Sequence, residues 1–138
     1  WAIENSSQRA ANFHPDLVIL GFGMNDRCGM EEYRNKTGRL MEAIRKVSPK
    51  TEFLLIASTL PNELAATEPH HFWAHQDEYS ESLKGLEGMG VAIADIQAVQ
   101  KEIGKRKRYI DITGNWLNHP NDYLARILAQ VVIKTLGM

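Results

Sequence analysis

Three short apolar runs constrain this chain more than any other feature: Leu17-Val18-Ile19-Leu20, Phe53-Leu54-Leu55-Ile56-Ala57 and Val91-Ala92-Ile93-Ala94. None alternates polar with apolar residues, so each reads as a strand covered on both faces. Their first residues stand 36 and 38 positions apart. That interval suits a strand, a crossover helix and a return, and is far too long for a hairpin. Such crossovers build a parallel sheet. The intervals carry helical patterns. Residues 31–47 place Tyr33, Leu40, Met41, Ile44 and Val47 at helical spacing and stop at Ser48-Pro49. Residues 76–86 are predicted helical up to the glycines Gly85, Gly88 and Gly90, and residues 96–103 form a short helix. Residues 121–136 present Tyr123, Leu124, Ile127, Leu128, Val131 and Val132 as an inward stripe, with Asn121 placed to cap the first turn. Residues 5–12 read as one more helix. With no linker, repeat or low-complexity stretch, residues 1–138 are expected to form a single α/β domain.

Composition narrows the classes of function. A hydrophobic content of 43% and a charged content of 24% are ordinary for a globular chain of 138 residues, which can bury roughly two-thirds of its unfolded surface. A net charge of -1 gives no electrostatic case for nucleic acid or an anionic membrane as partner. No stretch approaches the roughly 20 apolar residues of a membrane span. Cys28, the single cysteine, excludes an internal disulfide and leaves the compartment open. Trp1 is not an initiator methionine, so the sequence is expected to begin inside a longer product, and its localisation is unknown.

Two polar signatures carry the chemistry. Gly23-Met24-Asn25-Asp26 follows the first strand, and Asn118-His119-Pro120-Asn121-Asp122 precedes the last helix. In open parallel sheets the functional crevice lies beyond the carboxyl ends of the strands. The first signature occupies that edge, as do residues 58–62 after the second strand. The loop 115–121 can turn into the same crevice. An uncharged amide such as Asn25 suits stabilisation of a developing oxyanion. A histidine on a Pro-restricted loop suits general base work near neutral pH. Taken singly, Asn25 and Asp26 are also ordinary turn residues, and His119 an ordinary surface histidine. Their convergence on one edge favours a site.

These residues bring a family into view. The stretch from Pro15 through Gly23-Met24-Asn25-Asp26 resembles the Gly-x-Asn-Asp block of the SGNH, or GDSL-like, hydrolases, and Asp111 to Asp122 resembles the block carrying their catalytic histidine. Thr59-Leu60-Pro61-Asn62 looks like the loop after the central strand in the acetyl-esterase-like branch. The resemblance implies a three-layer α/β/α, flavodoxin-like fold that hydrolyses acyl esters, often on carbohydrates, without cofactor or metal. It assigns His119 as the base and Asn25 as the oxyanion donor. Gly23 becomes the residue that lets backbone approach, Asp26 a loop-fixing neighbour, and Asn118 and Asp111 supporting residues. Asn62 and Trp116 are expected to contact substrate.

The chain departs from the family pattern in three places. The aspartate that normally stands three residues before the histidine is replaced by Trp116. The histidine is then expected to be oriented by a main-chain carbonyl of residues 115–117, by the Asn115 amide oxygen or by Asp111 folded back, the carbonyl being nearest in sequence. Neither the Gly-Asp-Ser-type block with the nucleophile nor the block with the second oxyanion donor occurs. Ser6 and Ser7 lie in the predicted first helix. The resemblance therefore implies the C-terminal two-thirds of the fold, with two N-terminal strands and the serine upstream and that upstream segment as a partner. A non-catalytic α/β binding domain that lost its serine is the alternative.

Other signals point less far. Gly21-x-Gly23-x-x-Asp26 is close to a dinucleotide fingerprint, but an acid at the third position repels a pyrophosphate. His70, His71 and His75 with Glu68 form a polar cluster without a His-Glu-x-x-His motif, so no metal is expected. Lys101, Lys105, Arg106, Lys107 and Arg108 read as a solvated helix end. Phe72, Trp73 and Trp116 read as a substrate wall or as core, and Cys28 as an inert thiol.

Overall fold

The computed structural model describes residues 2–63 and 75–138. The elements run α1 (Ala2–Ala11), β1 (Leu17–Leu20), α2 (Met30–Val47), β2 (Glu52–Ile56), a 3-10 turn (Gln76–Glu78), α3 (Tyr79–Lys84), β3 (Val91–Ala94), α4 (Ile96–Gly104), a second 3-10 turn (Tyr109–Asp111) and α5 (Asp122–Thr135). The three strands form one parallel sheet in the order β1-β2-β3. Leu17 pairs with Glu52, and Phe53 with Val91. Each connection is thus a crossover through helix, as the spacing of the apolar runs requires.

One face of the sheet holds the larger core. Leu20, Phe53, Leu55 and Val91 pack there with Ala11 of α1, with Tyr33, Leu40, Met41 and Ile44 of α2, and with Tyr79 and Leu83 of α3. Leu54, Ala94, Ile96, Ile112 and Leu124 are buried outside that cluster, and α5 packs against β3. Side chains alternate across a strand, so Leu54 turns away from the face that Phe53 and Leu55 share. The result is helix, sheet and helix in three layers. β2 is the central strand, with Phe53, Leu54 and Leu55 each no more than 1% exposed.

Four expectations are corrected. β1 is not covered on both faces, because Leu17 and Ile19 are 39% and 50% exposed. The stripe of α5 is only partly inward: Leu124 is buried, Ile127, Leu128, Val131 and Val132 are half-buried, and Tyr123 is exposed. Both differences have one cause, since the second face of the sheet is covered near β3 and open near β1. Finally, residues 76–86 do not form one helix. A tight turn over Gln76–Glu78 precedes a six-residue α3, which ends at Gly85. Val47 also ends up exposed, because it closes the last turn of α2 beyond the core.

The amino ends of the strands are tied together. Thr51 Oγ1 donates to the Pro15 carbonyl at 2.8 Å, and Arg45 donates to the carbonyls of Thr51 and Gly90 at 3.2 and 3.3 Å. That leaves the carboxyl edge to carry the polar loops.

Candidate active site

The turn after β1 is built around Gly23. Its φ of +117 is a conformation that side chains rarely adopt. A Cβ there would also sit 3.0 Å from Tyr79 Cδ2 and 3.2 Å from the Tyr33 hydroxyl. Those two rings stack with centroids 3.9 Å apart and planes 11° from parallel, forming the floor of the turn. Tyr33 donates to the Phe22 carbonyl at 2.9 Å, and Tyr79 to the Cys28 carbonyl at 2.8 Å. Burial, reinforced by the charge of Asp26, holds the Tyr33 phenol well above its ordinary pKa range. Burial likewise raises Tyr79, followed by its contact with Cys28. Asp26 is half-buried and donates its backbone N–H to the Gly23 carbonyl at 3.2 Å, closing the turn. Asn25 stands at the exposed apex, and its side-chain amide makes no hydrogen bond to a described residue. Its N–H groups are free to meet a ligand.

The His119 loop is organised by Asn115. Its Oδ1 accepts the backbone N–H groups of Leu117, Asn118 and His119, each at 3.0 Å. Inside this turn Trp116 adopts φ +64, left-handed for a residue that carries a Cβ, and the residue is 63% exposed. Thr113 and Pro120 form an antiparallel bridge, and Gly114 N–H donates to the His119 carbonyl at 2.9 Å. The loop is therefore a closed cup. Asn118 is buried, and its carbonyl accepts the Thr59 hydroxyl at 2.6 Å. Asn62 grips the loop twice, through N–H to the Leu117 carbonyl at 2.7 Å and Nδ2 to the Trp116 carbonyl at 2.9 Å. The Tyr109 hydroxyl lies 2.8 Å from both the Leu60 and Leu117 carbonyls. Burial pushes its pKa up to about 12, so it stays a neutral phenol with a proton to donate.

No partner for the His119 ring is present among the described residues; the side chain is exposed. Asp111 is drawn the other way, to the Arg108 guanidinium at 3.1 and 3.0 Å, which holds its carboxyl below the usual range. The Asn115 amide oxygen serves three backbone groups, and the Trp116 and Leu117 carbonyls serve Asn62 and Tyr109. Asp111, the Asn115 amide oxygen and the carbonyls of Trp116 and Leu117 thus all have other partners.

The two signatures are joined through buried glutamines. Gln76 Nε2 donates to the carbonyls of Gly23 and Met24 at 2.8 and 2.6 Å. Gln97 Nε2 donates to the Gln76 and Ser58 carbonyls at 2.5 and 2.8 Å. Thr59, next to Ser58, then reaches Asn118. One relay of hydrogen bonds so crosses the carboxyl edge of the sheet from the Asn25 turn to the His119 loop. Gln100 adds a clamp, pairing with both the N–H and the carbonyl of Leu60 at 2.8 and 3.2 Å. Sequence reading missed Gln76, Gln97, Gln100 and Tyr109, and marked Thr59 only as part of the loop after β2. For α4 a signal existed, since Gln97 and Gln100 interrupt an apolar helix at i, i+3 and share a face.

A cleft of about 650 Å³ lies beside this assembly rather than in it. Leu60, Asn62 and Tyr109, which hold the His119 loop, line it together with Lys101 and Lys105. Neither Asn25 nor His119 lines it. A smaller cleft of about 340 Å³ runs past Phe22, Asp26 and Tyr33. Glu68, His70, His71, Phe72 and Trp73 lie outside the described residues, and His75 sits 3.3 Å from Glu78. Among the described residues no group of His, Cys, Asp and Glu is arranged to hold a metal, and no helix is long and apolar enough to cross a membrane.

No protein-family model matches the sequence, and no curated protein matches it either. Solved structures do. A GDSL-like lipase from Parabacteroides merdae superposes with a TM-score of 0.79 at 19% identity, over 97% of this chain and 66% of that one. A carbohydrate esterase family 3 protein from Talaromyces cellulolyticus gives 0.71 at 17% identity, over 98% and 63%. A salicylyl-acyltransferase of a tetracycline biosynthetic pathway, SsfX3, gives 0.54 at 14% identity, over 95% and 40%. The class is thereby defined: an α/β/α domain with a parallel sheet, of the kind built by lipases and esterases. More particularly, this chain has the SGNH, or GDSL-like, hydrolase fold. It spans less than two thirds of the length of either the lipase or the esterase.

Proposed function

We propose that residues 1–138 form the base-and-oxyanion part of an SGNH-type serine ester hydrolase, with an acetylated carbohydrate or similar acyl ester as substrate. A serine supplied by a segment outside these residues attacks the acyl carbonyl carbon, and its proton passes to His119 Nε2. The negative charge that develops on the carbonyl oxygen is met by the Asn25 amide. The tetrahedral adduct collapses, the alcohol leaves with the proton from His119, and water repeats the sequence on the acyl-serine. Gly23 and Asp26 shape the Asn25 turn. Asn118 anchors the His119 loop, and Asp111 stabilises its base through Arg108 and Asn121. Asn62 and Trp116 form a substrate wall. No cofactor or metal enters.

The observation that carries this reading is the relay from Gly23 through Gln76, Gln97 and Ser58-Thr59 to Asn118, because it holds the two signatures on one edge of a sheet with this fold. In the intact protein, p-nitrophenyl acetate should be hydrolysed, and a fluorophosphonate should label one serine and abolish turnover. Residues 1–138 alone should give no rate above background. His119→Ala should lower turnover by several orders of magnitude with the fold unchanged by circular dichroism. A folded His119→Ala protein with near-wild-type rate removes His119 from the site. An intact protein that binds acylated sugars without hydrolysing them supports the binding-domain alternative.

A further inference from the structure

Gln76 is fully buried, at 0% exposure, although it belongs to an irregular turn rather than to a packed helix face. Its side chain spends both amide hydrogens on one target. Nε2 donates to the carbonyls of Gly23 and Met24, the two peptide units immediately ahead of Asn25. Those units cannot hold themselves, since Gly23 has the least conformational restraint of any residue and sits at positive φ. Gln76 is itself fixed from behind, because its main-chain carbonyl accepts Gln97 Nε2 while Gln97 Oε1 accepts the Ser80 N–H at 3.2 Å. The remaining polar atom, Gln76 Oε1, is buried without a hydrogen-bond partner among the described residues. A methionine or leucine would fill the same space without an orphan acceptor, whose desolvation costs about 1 to 3 kcal/mol. The glutamine is kept for its donor end.

We propose that Gln76 is a positioning residue for Asn25: by gripping the carbonyls of residues 23 and 24 it sets the direction in which the Asn25 amide leaves the turn. This rests on the reading of Asn25 as an oxyanion donor. Such a donor acts over 2.7–3.1 Å from the place where charge develops, and a displacement of about 1 Å costs on the order of 100-fold. Substrate affinity involves other surfaces, so the loss falls on kcat and not on KM.

The test is a double-mutant cycle on the intact protein, with kcat and KM measured for p-nitrophenyl acetate in wild type, Asn25→Ala, Gln76→Met and the double variant. Asn25→Ala should lose about 100- to 1,000-fold in kcat. Gln76→Met should lose about 10- to 100-fold at unchanged KM. The double variant should equal Asn25→Ala alone, because Gln76 has nothing left to position. A general loosening of the fold would instead multiply the two losses. Should Gln76→Met fail to fold, Gln76→Asn keeps an amide but withdraws it by one methylene, and enters the same cycle. A Gln76 loss that persists in full beside Asn25→Ala overturns the proposal, as does no Gln76 loss where Asn25→Ala shows its own. If Asn25→Ala leaves kcat untouched, or the intact protein has no turnover, the oxyanion reading itself has failed, and this inference with it.

Discussion

Gly23 and Trp116 both sit at positive φ, and the two residues face opposite consequences. At Gly23 the backbone needs a residue without Cβ and the tyrosine floor leaves no room for one. Gly23→Ala should therefore destabilise by about 1 to 3 kcal/mol, read as a lower midpoint in urea denaturation. At Trp116 the side chain is exposed and the left-handed backbone costs an ordinary residue roughly 1 to 2 kcal/mol. Trp116→Asn should raise the midpoint, because Asn tolerates that conformation, yet raise KM for p-nitrophenyl acetate in the intact protein under the proposed function, where the indole forms part of the substrate wall. A Trp116→Asn protein less stable than wild type would contradict the strain argument. What could be read from sequence at this scale was what is local. Asn121 as a cap follows from its place before the helix, and its side chain does accept the Leu124 N–H at 3.1 Å. Gln76 could not be read, because its partners lie 53 and 52 positions earlier in the chain. The partner of Asp111 was also local, since Arg108 stands three residues before it and the ion pair between them has bidentate geometry.

Among elements, α5 depends on its first turn. Asn121 caps it and also donates Nδ2 to the Asp111 carbonyl at 3.0 Å, so one side chain joins the helix to the His119 loop. Asn121→Ala should cost about 1 kcal/mol, and it should loosen the loop, raising hydrogen exchange at Gly114 and His119. The tyrosines that brace the elements give a pH dependence. Burial favours the neutral phenols of Tyr33, Tyr79 and Tyr109, with Tyr109 at about 12, against roughly 10 in an unfolded chain. Raised folded pKa values mean that this stability is fully present below pH of about 10 and is lost as pH climbs through the folded values. Melting temperature should thus fall between pH 10 and 12, with phenolate absorbance appearing at unfolding rather than before it. The strands were readable because three apolar runs have no other explanation at that spacing. The 76–86 helix was not, because Gln76, in the turn that breaks it, reaches across to Gly23, and local propensity has no knowledge of that contact.

At the scale of the molecule, the sheet is buried unevenly. Leu54 is 0% exposed and Ile19 50% exposed, although both belong to unbroken apolar runs. Leu54→Ala should cost about 2 to 5 kcal/mol, and Ile19→Ala distinctly less, when unfolding is followed by denaturant. Equal losses would mean that the open face near β1 is covered in solution. The layer order followed from the sequence, whereas the uneven cover did not, since a run of apolar residues records what a face can bury and not what meets it. The sequential parallel order has a kinetic consequence. Leu17 meets Glu52, and Phe53 meets Val91, only across whole intervening helices, so no pair of strands can form as a hairpin and the sheet has no local nucleus. Loop closure must be met before any ladder bond rewards it, which places the chain among domains of intermediate to slow folding. The 18-residue α2 lies between the first pair. Its buried face shares the core with Leu20, Phe53 and Leu55, so β1 and β2, and the loops on their carboxyl edge, come together only with that helix in place.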